Sequence, residues 1–364
     1  MSGDPGVLYQ ACAAALRFWQ RQLPGSWVPG YLAGRGLDAA LLPSSPWAIG
    51  YAPASWTALA DHLRGLGFHD TDLRTAGLAV TGRNSQLRDF FHDQLMIALR
   101  TADGGTAGFI GRRRPGAGDN HGPKYLNTRE TPIFAKGDIL AGLAEQRTRL
   151  AAGARPVLTE GPMDAIAVSL AGGSEYAGLS SCGTALTAGH AAALKTAGAA
   201  HREVTVAFDG DQAGQAGAVR AYPVLAGVIT GPVTAAPMPA GSDPAEILRD
   251  QGPQMLLDLL AARRPLAGLV TDHAIAAAVL EAAARAIAGM PERDAPDQIR
   301  RVCVTLSDLY GQDPQRTSAA IIDLIFPRTP PARAGPGQRP PASWTRPVRE
   351  PARATVRFPA RQHR

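Results

Sequence analysis

Apolar side chains at Leu8, Cys12, Ala15, Leu16, Trp19 and Leu23 recur at steps of three and four, which predicts an amphipathic helix over residues 7–23 closed by Pro24. Two short segments follow, Tyr31 to Leu37 and Trp47 to Pro53, and then helical patterns over 55–66 and 70–76. Segments 94–100 and 106–111 flank Asp103-Gly104-Gly105 and read as a hairpin. Residues 1–150 therefore read as one mixed α+β unit. Beyond Arg155 the texture changes. Short apolar strands, Pro156–Thr159, Tyr176–Leu179, Val204–Phe208 and Val233–Ala236, alternate with Ala-rich helical stretches. That alternation predicts a parallel sheet covered on both faces, an α/β domain over 151–263. The pattern is helical throughout 264–326, including 274–288 and 316–325. Residues 327–364 are rich in Pro, Arg, Ala and Gly with almost no aliphatic periodicity, which predicts a disordered tail.

Charge changes the picture only once it is located. The 364 residues carry a formal net charge of +6, which suggests a nucleic-acid binder. From Arg328 onward, however, nine Arg face a single acid, Glu350, so the preceding body is slightly acidic. The basic balance thus describes the tail, which could hold phosphates non-specifically or merely aid solubility. No uninterrupted apolar run approaches the ~18 residues that span a bilayer, so no membrane association is expected. The first residues lack the basic-then-apolar pattern of a secretory signal, which predicts a cytoplasmic protein with free thiols. Cys12, Cys182 and Cys303 have no second Cys or His at zinc-ligand spacing, so neither a zinc site nor a disulfide framework is expected. His190 and His201 read as surface or capping residues, and Trp19, Trp47 and Trp56 as packing residues.

The chemistry lies in where carboxylates fall. Glu160 directly follows the first predicted strand, Asp209 and Asp211 the third, and Asp243 the fourth, all at carboxyl ends. In an open parallel sheet that edge is where ligands bind, so residues about fifty positions apart meet on one rim. Asp164, four residues past Glu160, starts on the same side of the intervening helix. Clustered carboxylates repel. An oxygen-ligated divalent cation, Mg²⁺ or Mn²⁺, removes that conflict and suits phosphoryl transfer. Asp-x-Asp alone is a common turn or cap, but here it sits between an apolar strand and a helix start rich in small residues.

These segments resemble a known family. Val157-Leu158-Thr159-Glu160-Gly161-Pro162-Met163-Asp164 and Val206-Ala207-Phe208-Asp209-Gly210-Asp211-Gln212-Ala213-Gly214 are similar to the two halves of the Toprim motif of bacterial DnaG-type primases. Ser181-Cys182-Gly183-Thr184 resembles the primase Gly-Thr loop, and Gly241-Ser242-Asp243-Pro244 its Asp-Pro motif. Upstream, Arg35-Gly36-Leu37, Ile49-Gly50-Tyr51-Ala52-Pro53, Gly108 to Arg112, Lys124-Tyr125-Leu126-Asn127 and Phe134 to Gly137 follow the order of the primase N-terminal subdomain.

The resemblance implies a Toprim fold with an N-terminal α+β subdomain and a C-terminal helical segment. It implies a nucleotidyltransferase making short RNA primers on single-stranded DNA from nucleoside triphosphates. Glu160 would be the acid/base, Asp209 and Asp211 would share in catalysis, and Asp243 would join them on the metal with Asp164 in support. Arg35, Arg112, Lys124, Asn127 and Lys136 would line a groove for template and nucleotide phosphates. The chain also departs from the pattern. No zinc-binding module or helicase-interacting domain is legible, so a replicative helicase or a separate zinc-bearing protein enters as a partner. Ala245 stands where a second acid is common, beside Glu246, and His92 and Gln94 stand where Arg is usual. The same carboxylates would serve a Toprim nuclease, and a non-synthesising single-stranded-DNA-binding accessory protein is the third class open to this sequence.

Overall fold

In the computed structural model, which describes residues 3–82, 85–117, 122–310 and 313–326, the first helix α1 (Pro5–Gln22) begins where Asp4 accepts the Gly6 N–H. Proline at its first position needs no N–H partner, and Leu8, Cys12, Ala15, Leu16 and Trp19 form its buried stripe. After α2 (Val28–Ala33) and a 3₁₀ turn (Asp38–Leu41), strand β1 (Ile49–Ala52) runs beneath α1. Gly50 permits that approach, since a Cβ there would lie 2.7 Å from Trp19 Cβ. Helices α3 (Ala58–Gly65) and α4 (Asp70–Thr75) and a small hairpin, β2 (Ala79–Thr81) with β3 (Leu87–Asp89), come next. The expected hairpin follows as β4 (Gln94–Arg100) and β5 (Thr106–Arg113), and β6 (Tyr125–Asn127) completes an antiparallel sheet in the order β1-β4-β5-β6.

Strand β4 is buried on both faces. Met96 and Ala98 pack with α1 and with Trp19, Phe91 and Phe109, while Leu95, Ile97 and Leu99 join a core that reaches Met163 and Ile166. The antiparallel sheet is thereby packed into the same body as the second sheet.

That second sheet holds β7 (Arg155–Thr159), β8 (Tyr176–Ser180), β9 (Val204–Val206), β10 (Val233–Ala235) and a short β11 (Arg264–Pro265), following the brief helix α5 (Arg147–Ala151). The order is β8-β7-β9-β10-β11, parallel except at β11. Helices α6 (Pro162–Ala171), α7 (Ala188–Thr196), α8 (Gln212–Ala226) and α9 (Pro244–Ala261) cover it. Residues of α6 and α9 enter the core with Val157, and residues of α7 and α8 the core with Leu158, so alternate β7 side chains serve opposite faces. Strand β9 stops at Val206, short of the expected Phe208, although the Ala207 N–H still donates to the Leu158 carbonyl (2.8 Å). Beyond that bond the chain turns toward Glu160.

Contacts divide the chain into two units, Met1–Val270 and Thr271–Arg364. In the second, α11 (Ala295–Tyr310) and α12 (Pro314–Ile325) pack with the end of α10 (Leu266–Ala288) around Ala284, Ile287, Ile299, Cys303 and Ile321. Helix α10 is long and apolar enough, by length and composition, to cross a membrane, with a mean hydropathy of 1.4 over its best window. Inspection for uninterrupted apolar runs passes over it because Asp272, Glu281 and Arg285 punctuate an alanine-rich stretch. The predicted tail, 327–364, lies outside the described residues.

All three cysteines are free and buried. Trp19 and Trp47 pack in the core, but Trp56 does not: it is 53% exposed and stacks on His92 with centroids 4.0 Å apart. Trp56 lies in the loop after β1, beyond the strand and not on an apolar helix face. His190 caps α7, its Nδ1 accepting the Thr187 N–H, and is fully buried.

Candidate active site

The chain leaves β7 for β8 on one side and later returns to β9 on the other, so a crevice opens between the carboxyl ends of β7 and β9. Glu160 and Asp209 stand there. The Asp209 N–H donates to Glu160 Oε1 (3.3 Å), which fixes the first carboxylate against the second loop. Gly210 ties that loop to the next one, its N–H donating to the Ser242 carbonyl (3.0 Å). No other residue fits, because a Cβ at position 210 would lie 1.8 Å from the Pro239 carbonyl oxygen.

Asp211 and Asp243 are helix N-caps. Asp211 Oδ1 accepts the Gly214 N–H (2.8 Å) at the start of α8, and Asp243 Oδ1 accepts the Glu246 N–H (2.6 Å) at the start of α9. Each keeps one carboxylate oxygen beyond its cap bond, close to the positive ends of two helices. Asp164 is placed differently. It is buried, and its two oxygens accept the N–H groups of Gly161 and Ala245 (both 3.2 Å), which joins α6 to α9 behind the rim.

The cluster is electrostatically unsettled. Burial, then Glu160, Asp243, Asp211 and Glu246, push Asp209 up to about 7, and its buried Oδ1 has no hydrogen-bond partner. Burial and then Asp243 and Asp209 drive Asp164 well above the usual carboxylate range. Glu160 is raised by burial and Asp211, opposed by the Asp209 N–H and Arg220. Among the described residues no three acidic, histidine or cysteine side chains converge closely enough to enclose an ion alone. A hard cation of the Mg²⁺ type needs no such enclosure, since one or two carboxylates with water and phosphate oxygens hold it. The orphaned Asp209 oxygen and the mutual repulsion are the observations that fit such an ion.

The cationic residues come from the antiparallel sheet. Arg112 on β5 lies over the rings of Tyr31 (4.7 Å to the centroid) and Tyr125 (5.6 Å), and Lys124 Nζ lies 5.7 Å from the Tyr125 ring centre. Arg35 acts electrostatically on Asp164. Asn127 on β6 reaches the rim directly, its Nδ2 donating to the Cys182 carbonyl (3.3 Å). The next N–H, that of Gly183, donates to the Glu160 carbonyl (2.9 Å). Cys182 (φ 55) and Gly183 (φ 75) both hold left-handed backbone to make this turn; glycine does so freely, and at Cys182 it is strain of the kind stored at functional loops. Burial pushes the Cys182 thiol up to about 12, so it is a packing group. Lys136 is fixed through its backbone: its carbonyl bonds His190 Nε2 (2.9 Å) and its N–H donates to Glu130 (3.1 Å).

Residue-by-residue reading missed Tyr31 and Tyr125, which read as core or motif residues. Both are half-buried beside Arg112, and the available signal was spacing, with Tyr31 four residues before Arg35 on α2 and its continuation. Buried polar atoms without partners gather here: Tyr31 OH, Arg35 Nε, Arg112 Nε and Asn127 Oδ1, besides Asp209 Oδ1. Buried polar groups are normally bonded, so such a group marks a place a ligand completes.

A parallel sheet with a carboxylate-lined switch-point crevice, joined to a cation-bearing antiparallel sheet, defines the class as a Toprim catalytic core with an upstream nucleic-acid subdomain. Comparison with known proteins agrees. The family "DNA primase catalytic core, N-terminal domain" matches residues 20–147, and "Toprim-like" matches 157–248. The DNA primase of Mycolicibacterium smegmatis is 33% identical over 317 residues, covering 85% of this chain and 49% of that protein. The RNA polymerase domain of Mycobacterium tuberculosis primase DnaG matches with a TM-score of 0.64 at 32% identity, covering 88% of this chain and 99% of that one. The same domain in complex with a double-stranded DNA oligomer bearing a 6-nucleotide overhang matches at 31% identity and a TM-score of 0.64, covering 89% and 97%. This chain belongs to the bacterial DnaG-type primase catalytic-core family, whose Toprim sites use divalent metal ions. It spans about half the length of the curated relatives it matches.

Proposed function

We propose that the chain is a DNA primase core, a nucleotidyltransferase that joins ribonucleotides into short primers on single-stranded DNA in the cytoplasm. One observation carries the reading: Glu160 and Asp209, bonded across the switch-point crevice, leave a buried carboxylate oxygen unpartnered. Without metal a proton settles that oxygen, and a divalent cation with its phosphate ligands would take the proton's place.

Glu160, its affinity for protons raised by burial, takes the proton of a primer 3′-hydroxyl. The 3′-oxygen attacks the α-phosphorus of the incoming nucleotide, and the bond to the bridging oxygen of the β-phosphate breaks to release pyrophosphate. Asp209, Asp211 and Asp243 would hold Mg²⁺ or Mn²⁺, with Asp164 buttressing the loops behind them. Such an ion, when bound, lowers the pKa of the attacking hydroxyl and neutralises charge on the leaving group. Arg35, Arg112, Lys124 and Lys136 bind phosphates of template and nucleotide, and Asn127 reaches a sugar or base. The DNA complex of the tuberculosis relative supports DNA as the bound polymer. A replicative helicase or a separate zinc-bearing protein is the partner this reading proposes, and adding that partner should raise synthesis.

The test is synthesis on single-stranded DNA with labelled nucleoside triphosphates and Mg²⁺ or Mn²⁺, comparing wild type with a Glu160→Gln, Asp209→Asn double variant. New oligomers from wild type alone support the proposal. Metal-dependent template degradation without synthesis replaces it with a nuclease, and binding alone with an accessory role.

A further inference from the structure

Two cations of the cleft face an unusual problem. Arg112 is buried and Arg35 has a buried Nε, yet neither forms an ion pair with any described residue. Arg112 Nη1 donates to the Arg113 carbonyl (2.9 Å), while the Nε atoms of both side chains find no acceptor. Partly desolvated like charges repel, and burial without a partner is unfavourable for each. What the two share is a ring. The guanidinium carbons of Arg112 and Arg35 lie 4.7 Å and 5.9 Å from the centroid of Tyr31.

An aromatic face attracts a guanidinium through its quadrupole without accepting its N–H bonds. A carboxylate in the same place would neutralise the cations and occupy their donors. The ring is itself braced. Tyr31 sits on α2 edge-on to Trp27 (5.6 Å, 70°), whose indole N–H donates to Asp93 Oδ1 (2.9 Å), an atom that also accepts the Tyr51 hydroxyl (2.7 Å).

We infer that Tyr31 is a positioning residue whose ring gathers Arg35 and Arg112, un-neutralised, into a receptor for the nucleotide triphosphate. This rests on the reading of the cleft given above and deepens it. The ring acts through the two guanidiniums, so its loss weakens anion binding and raises KM while leaving kcat little changed.

Calorimetric titration of the full chain with inorganic tripolyphosphate, without divalent metal, tests this independently of synthesis. Tyr31→Phe should keep the affinity within about twofold, and Tyr31→Leu should weaken it roughly tenfold, the scale of two partly desolvated cation–π contacts. Replacing Tyr31 by pentafluorophenylalanine, which keeps the shape of Phe but reverses the ring's charge distribution, should match the Leu variant. Equal binding by the Phe and pentafluorophenylalanine proteins overturns the inference, as does a Tyr31→Phe loss as large as that of Leu. If wild type binds no tripolyphosphate at all, the two arginines form no triphosphate receptor and the inference falls, whereas the parent reading falls only if synthesis with Mg²⁺ or Mn²⁺ also fails.

Discussion

At the amino ends of β7 and β9, Glu203 accepts hydrogen bonds from Arg263 (Nη2, 3.0 Å) and Thr234 (3.1 Å) and forms an ion pair with Arg155 (3.0 Å), which also lies over the Tyr176 ring. Arg263 foremost, with Arg155 and Thr234, holds the Glu203 carboxyl below its ordinary range. At the carboxyl ends of the same strands, Glu160 and Asp209 face each other with Asp211 and Asp243 nearby, and the raised values of Glu160 and Asp209 report repulsion and burial. One edge has spent its charges on stability and the other has kept them. Cations act on both edges, Arg220 on Glu160 and Arg35 on Asp164, but among the described residues only the first edge closes them into ion pairs, which marks the second as the edge that waits for a ligand.

The comparison is broken most severely by removing the proposed proton acceptor. Glu160→Gln should lower primer synthesis by on the order of a thousandfold, the scale of a general base, with no loss of thermal stability in a melting experiment. Gly210→Ala should affect both properties, because its Cβ would strike the Pro239 carbonyl and push the Asp209 loop from the Asp243 loop. The expected loss is about 2 to 3 kcal/mol in denaturant unfolding and roughly a hundredfold in synthesis from misplaced groups.

The carboxyl edge should also destabilise the metal-free fold in a pH-dependent way. Asp209 stands at about 7 in the folded chain and near 3.8 otherwise. Between those values the folded state keeps a proton that the unfolded state has released. Stability from this group is therefore full below about pH 4 and is lost as the pH rises through 7. Discounted for its partial exposure, the loss is on the order of 2 kcal/mol. Asp209→Asn should flatten that profile and melt a few degrees above wild type at pH 8 without metal. The amino edge gives the smallest effect. Glu203→Gln should cost about 1 to 2 kcal/mol in unfolding, since it strands two arginines in a partly exposed network, while synthesis stays within about twofold of wild type.

Much of this was legible in the residues because apolar periodicity reports burial directly. Helix α1, the β4–β5 hairpin and the strand–helix alternation from Arg155 follow from side-chain spacing, and the strand ends then place Glu160, Asp209, Asp211 and Asp243 on one rim. The three-residue strands β2 and β6 were not legible, being too short for a period of two to register and only half buried at β6. Trp56 was misread for a related reason: composition gives a tryptophan's preference for burial, whereas the loop after β1 decides that it faces solvent. The roles of Tyr31 and Asp164 depend on contacts across 81 residues in each case, from Tyr31 to Arg112 and from Asp164 to Ala245. No local pattern carries such information.

The claim that the carboxyl edge is charged in wait for a cation is tested most directly by counting protons. Mn²⁺ should be titrated into the metal-free chain in weakly buffered solution, with proton release followed at pH 6 and pH 8. Near pH 6 Asp209 is mostly protonated, so binding should expel close to one proton per chain, falling to about a tenth at pH 8 and vanishing in Asp209→Asn. Release that is absent at pH 6, or unchanged by Asp209→Asn, would contradict the account.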